Sequence, residues 1–273
     1  MALAPTSAPS SAPVDQAAGL RAMFAGRVRH IVPLIANPHV AFASVVLERI
    51  TTALAAGGAN TLLVDAADAS PPAPELAYVD LAACVEQLDP RTAYLAARGL
   101  PRRHVDTRGS AAGLLTALGR VAPTADTVVL HGEVLDLARV FMHCELRPML
   151  ITSDHVDAVK HAYAAVKVLA QRCGMRTFDV LMVAPHGSRR ARAIVTSLAS
   201  CAESFMGSMQ HGWAQIDPAV DVTEAPDADL CQLLLAQRRL GFDSVPSTTS
   251  LAPSSTPLRA VAASAPSSFA TLS

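Results

Sequence analysis

Five short, almost unbroken apolar runs punctuate this chain, at residues 30–36, 61–65, 127–131, 149–152 and 179–184. Runs of this length, rich in Val, Leu and Ile and without polar alternation, predict strands buried on both faces, as in a parallel sheet between layers of helix. Helix-length segments lie between and after them, at 41–56, 111–121, 133–144, 154–173 and 188–205. Alternating strand and helix joined by short connections makes right-handed crossovers the default. The expected fold class is therefore α/β, a three-layer, mostly parallel sheet flanked by helices. Pro33 counts against a central position for the first run, because proline removes a ladder donor.

The patterned region spans residues 14–242 and is large enough to bury a single core. Residues 1–13 and 243–273 are rich in Ala, Pro, Ser and Thr and carry too little apolar surface to order themselves, so both predict disorder. The first stretch has neither the basic start nor the apolar centre of a signal peptide. No apolar run approaches the roughly 20 residues of a membrane span, which makes the expected location cytoplasmic. A formal net charge of -1 gives no global attraction to nucleic acid. The five cysteines are scattered without a CxxC pair, which suits free thiols and argues against a zinc knuckle or a disulfide framework.

In an α/β fold the ligand sits beyond the carboxyl ends of the strands, near the first strand-to-helix turn. That turn reads Ala36-Asn37-Pro38-His39-Val40-Ala41-Phe42-Ala43-Ser44, followed by Ala53-Leu54-Ala55 and then Thr61-Leu62-Leu63-Val64-Asp65. The arrangement resembles the MinD/ParA class of P-loop NTPases, in which a first strand leads into K-G-G-x-G-K-T, a helix ending near "LA" and a strand ending in Asp. Counting back from Asp65 without a gap, the family's loop falls on residues 38–44. His39, Val40 and Phe42 stand at its glycines, and Pro38 and Ala43 at its lysines. A phosphate loop works by converging bare N–H groups on the anion and neutralising it with lysine. Pro38 has no N–H, and Val40 and Phe42 add bulk where backbone must approach phosphate.

The resemblance also implies a water-orienting role for Asp65 and a magnesium contact for Ser44. The residues alone equally suit a loop aspartate and a helix cap. His131 stands where the family has an aspartate, and Ala184-Pro185 where it has an adenine-reading Asn. The nucleotide pocket expected from Pro38, His39, Val40, Phe42, Ala43, Ser44, Asp65 and His131 is thus a relic. No cofactor is expected, with residual ATP and magnesium binding left open.

Upstream lies Asp15-Gln16-Ala17-Ala18-Gly19-Leu20-Arg21. Together with the body it resembles the FlhG/FleN flagellar-number regulators, whose D-Q-A-x-x-L-R segment docks on the signal-recognition-type GTPase FlhF and stimulates it. Ile151-Thr152, Ala162-Tyr163 and Lys167 are similar to that family's T-x-P…D-A-Y-x-x-x-K stretch, with His161 in place of its aspartate. The likeness covers about residues 14–240. Residues 14–26 read as a docking helix on physical grounds too. Asp15 caps it, and Ala17, Leu20 and Phe24 form one apolar stripe. Gly19 keeps the segment marginal alone, by about 1 kcal/mol. Contact residues implied are Asp15, Gln16, Ala17, Leu20 and Arg21, with Gln16 placed to orient an attacking water in trans. The same pattern suits a helix packed on its own domain. Implied partners are an FlhF-like GTPase and flagellar basal-body proteins. The alternatives are an active ParA/MinD-like ATPase with an unusual loop, or a ParA-like accessory of another surface machine such as cellulose secretion.

Other constellations carry less. Asp154, Asp157 and His161 share a helix face and read as solvated, and His143-Cys144 lacks a second ligand pair. Arg189, Arg190 and Arg192 form an exposed basic turn that suits an acidic partner or a solubilising face. Leu230, Leu233, Leu234 and Leu240, beside Arg238 and Arg239, make an amphipathic stripe that either packs on the domain or touches a membrane weakly. That second reading would bring the chain to the inner membrane or a cell pole.

Overall fold

The computed structural model describes residues 30–142, 144 and 147–239. A sheet of eight strands runs in the order β3-β4-β2-β5-β1-β6-β7-β8. The strands are β1 (His30–Ile35), β2 (Thr61–Asp65), β3 (Glu86–Asp89), β4 (Thr92–Ala96), β5 (Thr127–Gly132), β6 (Met149–Ser153), β7 (Thr177–Val183) and β8 (Met209–Ile216). All neighbours are parallel except the edge pair β3–β4. The helices are α1 (Ala43–Ala56), α2 (Leu100–Arg103), α3 (Gly113–Val121), α4 (Val134–Val140), α5 (Val156–Cys173), α6 (Arg189–Met206) and α7 (Ala228–Arg239), with 3-10 turns at Glu75–Tyr78 and Ala82–Cys84. The three-layer α/β expectation holds.

Successive strand residues point to opposite faces, and the core divides accordingly. Leu62, Val64, Val128 and Leu130 pack beneath α3, α4, α5 and α6, against Leu114, Leu118, Leu137, Phe141, Leu169 and Leu198. Val32, Leu34, Leu63 and Val129 face α1 and α7, against Val46, Ile50, Leu54, Leu230 and Leu234. The amphipathic stripe of α7 thus packs on the domain through Leu230, Leu233 and Leu234. Leu240 lies outside the described residues.

Pro33 is central after all. The N–H groups of His30 and Ala36 both bond toward β5, so alternate N–H positions, Pro33 included, face β6. Pairing with β6 begins only at Leu34, and the missing donor falls just before that ladder.

Other elements depart from expectation. No apolar run marks β3 and β8, the polar strands at the two edges of the sheet, whereas β4 lies in the apolar stretch 93–97, which the expected strands left out. The helix expected over 133–144 ends at Val140. Asp154 precedes α5, and His155 caps it by accepting the Asp157 N–H. His161 is half-buried against His39 at 5.9 Å between ring centroids, so it does not belong to a solvated face. Burial and the neighbouring His39 charge push its pKa down.

Among the described residues no helix is long and apolar enough to cross a membrane, and no cluster of three His, Cys, Asp or Glu side chains could hold a metal. The cysteines are free thiols.

Candidate functional site

The carboxyl ends of β1, β2 and β5 finish level with one another, with Ile35 opposite Gly132 and Asp65 opposite His131. The turn after β1 is bolted down by Asn37. Its side-chain amide donates to the carbonyls of Ile151 and Ala158 at 2.9 Å each, and its oxygen accepts the His39 N–H at 3.1 Å. The Val40 N–H returns to the Asn37 carbonyl at 3.1 Å, and Val40 is buried while Pro38 and His39 stand in solvent.

Phe42 is the N-terminal boundary of α1, at φ 60° and ψ 35°. Among the described residues it is the one non-glycine with positive φ. For an L-residue that conformation costs roughly 1–2 kcal/mol. The phenyl ring does not recover the cost by burial, since Phe42 is 62% exposed. No side chain caps the helix here, so Ser44, expected as a cap, lies in the first turn without that role. The backbone here adopts the left-handed conformation that glycine favours while carrying a bulky side chain.

Asp65 and His131 form a buried pair on adjacent strands, with Oδ1 and Nδ1 2.7 Å apart. Asp65 is 7% exposed and His131 3%. Asp65 therefore ends β2 and is no loop residue. Burial alone would raise its carboxyl pKa. The hydrogen bond and charge of His131, joined by the Ser70 hydroxyl and the Ala67 N–H, hold it below the usual carboxylate range. The His131 Nε2 is buried without a partner.

A second polar cluster flanks this pair. Arg102 donates from Nε to Asp136 at 2.8 Å and from Nη2 to Asp68 at 2.9 Å. Arg139 reaches the other Asp136 oxygen at 3.1 Å, and Glu133 accepts the Asp68 N–H at 3.4 Å. Burial raises the Glu133 carboxyl pKa. Spacing gave no sign of this cluster, because its members come from three segments far apart in the chain.

The structure thus brings Asp65 and His131 into contact and places Pro38, His39, Val40, Phe42, Ala43 and Ser44 on one turn beside them. At the corresponding end of β7, the His186 N–H donates to Asp217 at 2.7 Å, and Gln215 binds the carbonyls of Ala184 and Pro185. Arg189, Arg190 and Arg192 are exposed, and Arg192 lies 5.5 Å over the Trp213 ring. Asp15, Gln16, Ala17, Leu20, Arg21 and His143 lie outside the described residues.

No protein-family model matches this chain, and no curated protein does. Solved structures do. A ParA family ATPase from Chlorobium tepidum TLS shares 11% identity over 77% of this chain and 98% of its own, with a TM-score of 0.52. The MinD cell division protein of Aquifex aeolicus shares 12% over 80% and 98%, also at 0.52. A putative plasmid partition protein from Borrelia burgdorferi B31, solved with AMPPNP, shares 9% over 77% and 97%, at 0.53. At such identity the likeness concerns backbone alone, and together with the sheet order it gives the chain the fold of MinD/ParA-type P-loop NTPases.

Proposed function

We propose that this chain regulates flagellar number or placement as a pseudo-ATPase scaffold, binding an FlhF-like GTPase through its Asp15–Arg21 segment. The β1–α1 turn carries the pseudo-ATPase half of the reading. It has Pro38 without an N–H, the Phe42 ring at its left-handed residue, and no lysine. Charge-assisted hydrogen bonds are each worth about 1.5–3 kcal/mol. The absence of several weakens ATP by orders of magnitude, since about 1.4 kcal/mol is tenfold. The aspartate expected opposite Asp65 is His131, which engages Asp65 directly. The partner half rests on the D-Q-A-x-x-L-R motif, with Gln16 orienting the attacking water on the GTPase and Arg21 pairing a carboxylate or phosphate.

The test is GTP turnover by the cognate FlhF-like protein with the intact chain and with its Gln16→Ala variant. Stimulation that disappears in the variant supports the reading. Equal turnover with and without the chain, and no complex on co-purification, would sink it.

One observation favours a second reading, a chain that still binds nucleotide. Phe42, where the resembled family has glycine, holds the left-handed backbone that glycine favours, and no side chain caps the first turn of α1. Titration with a fluorescent ATP analogue and magnesium decides: saturable micromolar binding replaces the pseudo-ATPase reading with this one.

A further inference from the structure

The opposite edge of the sheet carries a feature the proposed function does not use. The carboxyl-terminal half of α1 and the helix α7 flank a groove of about 240 Å³ lined by Ala53, Leu54, Ala56, Cys231, Leu235 and Arg238. Leu54 and Leu234 form its buried floor. Leu235 stands on its rim, an apolar side chain 46% exposed.

The described chain begins beside this groove. The His30 N–H donates to the Asp126 carbonyl at 2.9 Å. The Asp126 carboxylate pairs with Arg238 at 3.3 Å, and Arg238 reaches the Gly57 carbonyl at 3.5 Å. Burial and the Arg238 charge push the His30 imidazole pKa down against the pull of Asp126. His30, where the described residues begin, thus lies next to a groove-lining arginine.

What precedes it is the stripe Ala17, Leu20 and Phe24, spaced for one helix face. Phe24 to His30 spans about 20 Å when extended, and a helix over residues 14–24 is about 16 Å long, comparable with the facing stretch of α7. We propose that residues 14–24 dock in cis into the α1–α7 groove, Leu20 and Phe24 against Leu54 and Leu235, and that this docking withholds Gln16 and Arg21 from the GTPase. The docking stands on the groove and the position of His30. The regulatory consequence rests on the function proposed above.

The groove supplies its own reporter, Cys231, while Cys201 is exposed on α6, whose side of the sheet is the other one. The experiment is mild oxidation of the full-length Leu20→Cys variant, followed by peptide mapping and a sizing gel. Docking in cis joins the introduced thiol to Cys231 by a disulfide within the monomer. That bridge is independent of protein concentration and at least tenfold favoured over one to Cys201. Adding Leu235→Asp lowers its yield several-fold. Equal bridging to Cys201 overturns the proposal. So does a bridge formed only between two chains, which would make a second copy the occupant. In GTP turnover, the Leu235→Asp chain should stimulate several-fold more than the unmodified chain. If the disulfide forms but neither chain stimulates, the docking stands and the GTPase reading fails.

Discussion

Asp65 and His131 meet at 2.7 Å across adjacent parallel strands, both buried, at the carboxyl edge of the sheet. Their partnership follows from register, because Asp65 is level with His131 in the β2–β5 ladder and both side chains leave the same face. The pair sets an acid against an imidazole, and each occupies the other.

Replacing Asp65 with Ala removes the acceptor and leaves His131 buried with both nitrogens unsatisfied. A loss of about 1–3 kcal/mol in urea unfolding at neutral pH is expected.

The same pair sets an acid dependence. The folded carboxyl lies below its unfolded value, so its contribution is complete above the unfolded pKa of roughly 4 and fades as pH falls through the lower folded value. Below pH 5 the stability difference between the natural chain and Asp65→Asn should therefore shrink toward pH 2. A difference that grows on acidification would contradict the pairing.

Phe42→Gly removes the left-handed penalty of roughly 1–2 kcal/mol and gives back about 0.5–1 kcal/mol through the freer unfolded chain. A small rise in stability is expected, whereas Phe42→Ala, which keeps a Cβ, should give none. Adding Ala43→Lys to Phe42→Gly should tighten a fluorescent ATP analogue about tenfold or more, if one charge-assisted contact returns.

At the other edge, Asp179 is fully buried, with its Oδ2 2.8 Å from the Arg147 Nε and bound also by Gln237 of α7. Burial raises its carboxyl pKa, and Arg147 opposes the rise. Asp179→Ala strands the buried guanidinium and should cost about 3–5 kcal/mol, while the paired change Arg147→Met with Asp179→Leu should be close to neutral. Thermal unfolding of the single and double variants separates the two.

Gly212 lies under α7. A Cβ there would sit 2.6 Å from the Leu233 Cδ1 and 3.2 Å from the Asp179 Oδ1. Gly212→Ala should destabilise by about 1–3 kcal/mol, and Leu233→Ala should recover part of it, a coupling that a double-mutant cycle reads directly.

The sequence by itself determined the core strands and the layer architecture. Residues 32–36, 61–65, 127–131, 149–152 and 179–184 are buried on both faces, and burial of that kind leaves continuous apolar runs. It also located the first strand-to-helix turn and its chemistry, since the identities of Pro38 and Phe42 are local facts. Only the tertiary structure decided the rest. The strands β3 and β8 carry polar residues because edges need little covering, so no apolar run marks them. Pro33 is tolerated because of the direction its nitrogen faces, which depends on which neighbour pairs where. The partnerships of Asp65 with His131 and of Asp179 with Arg147 and Gln237 join residues 66, 32 and 58 positions apart. Sequence spacing carries no information about such contacts, which come from strand order and register.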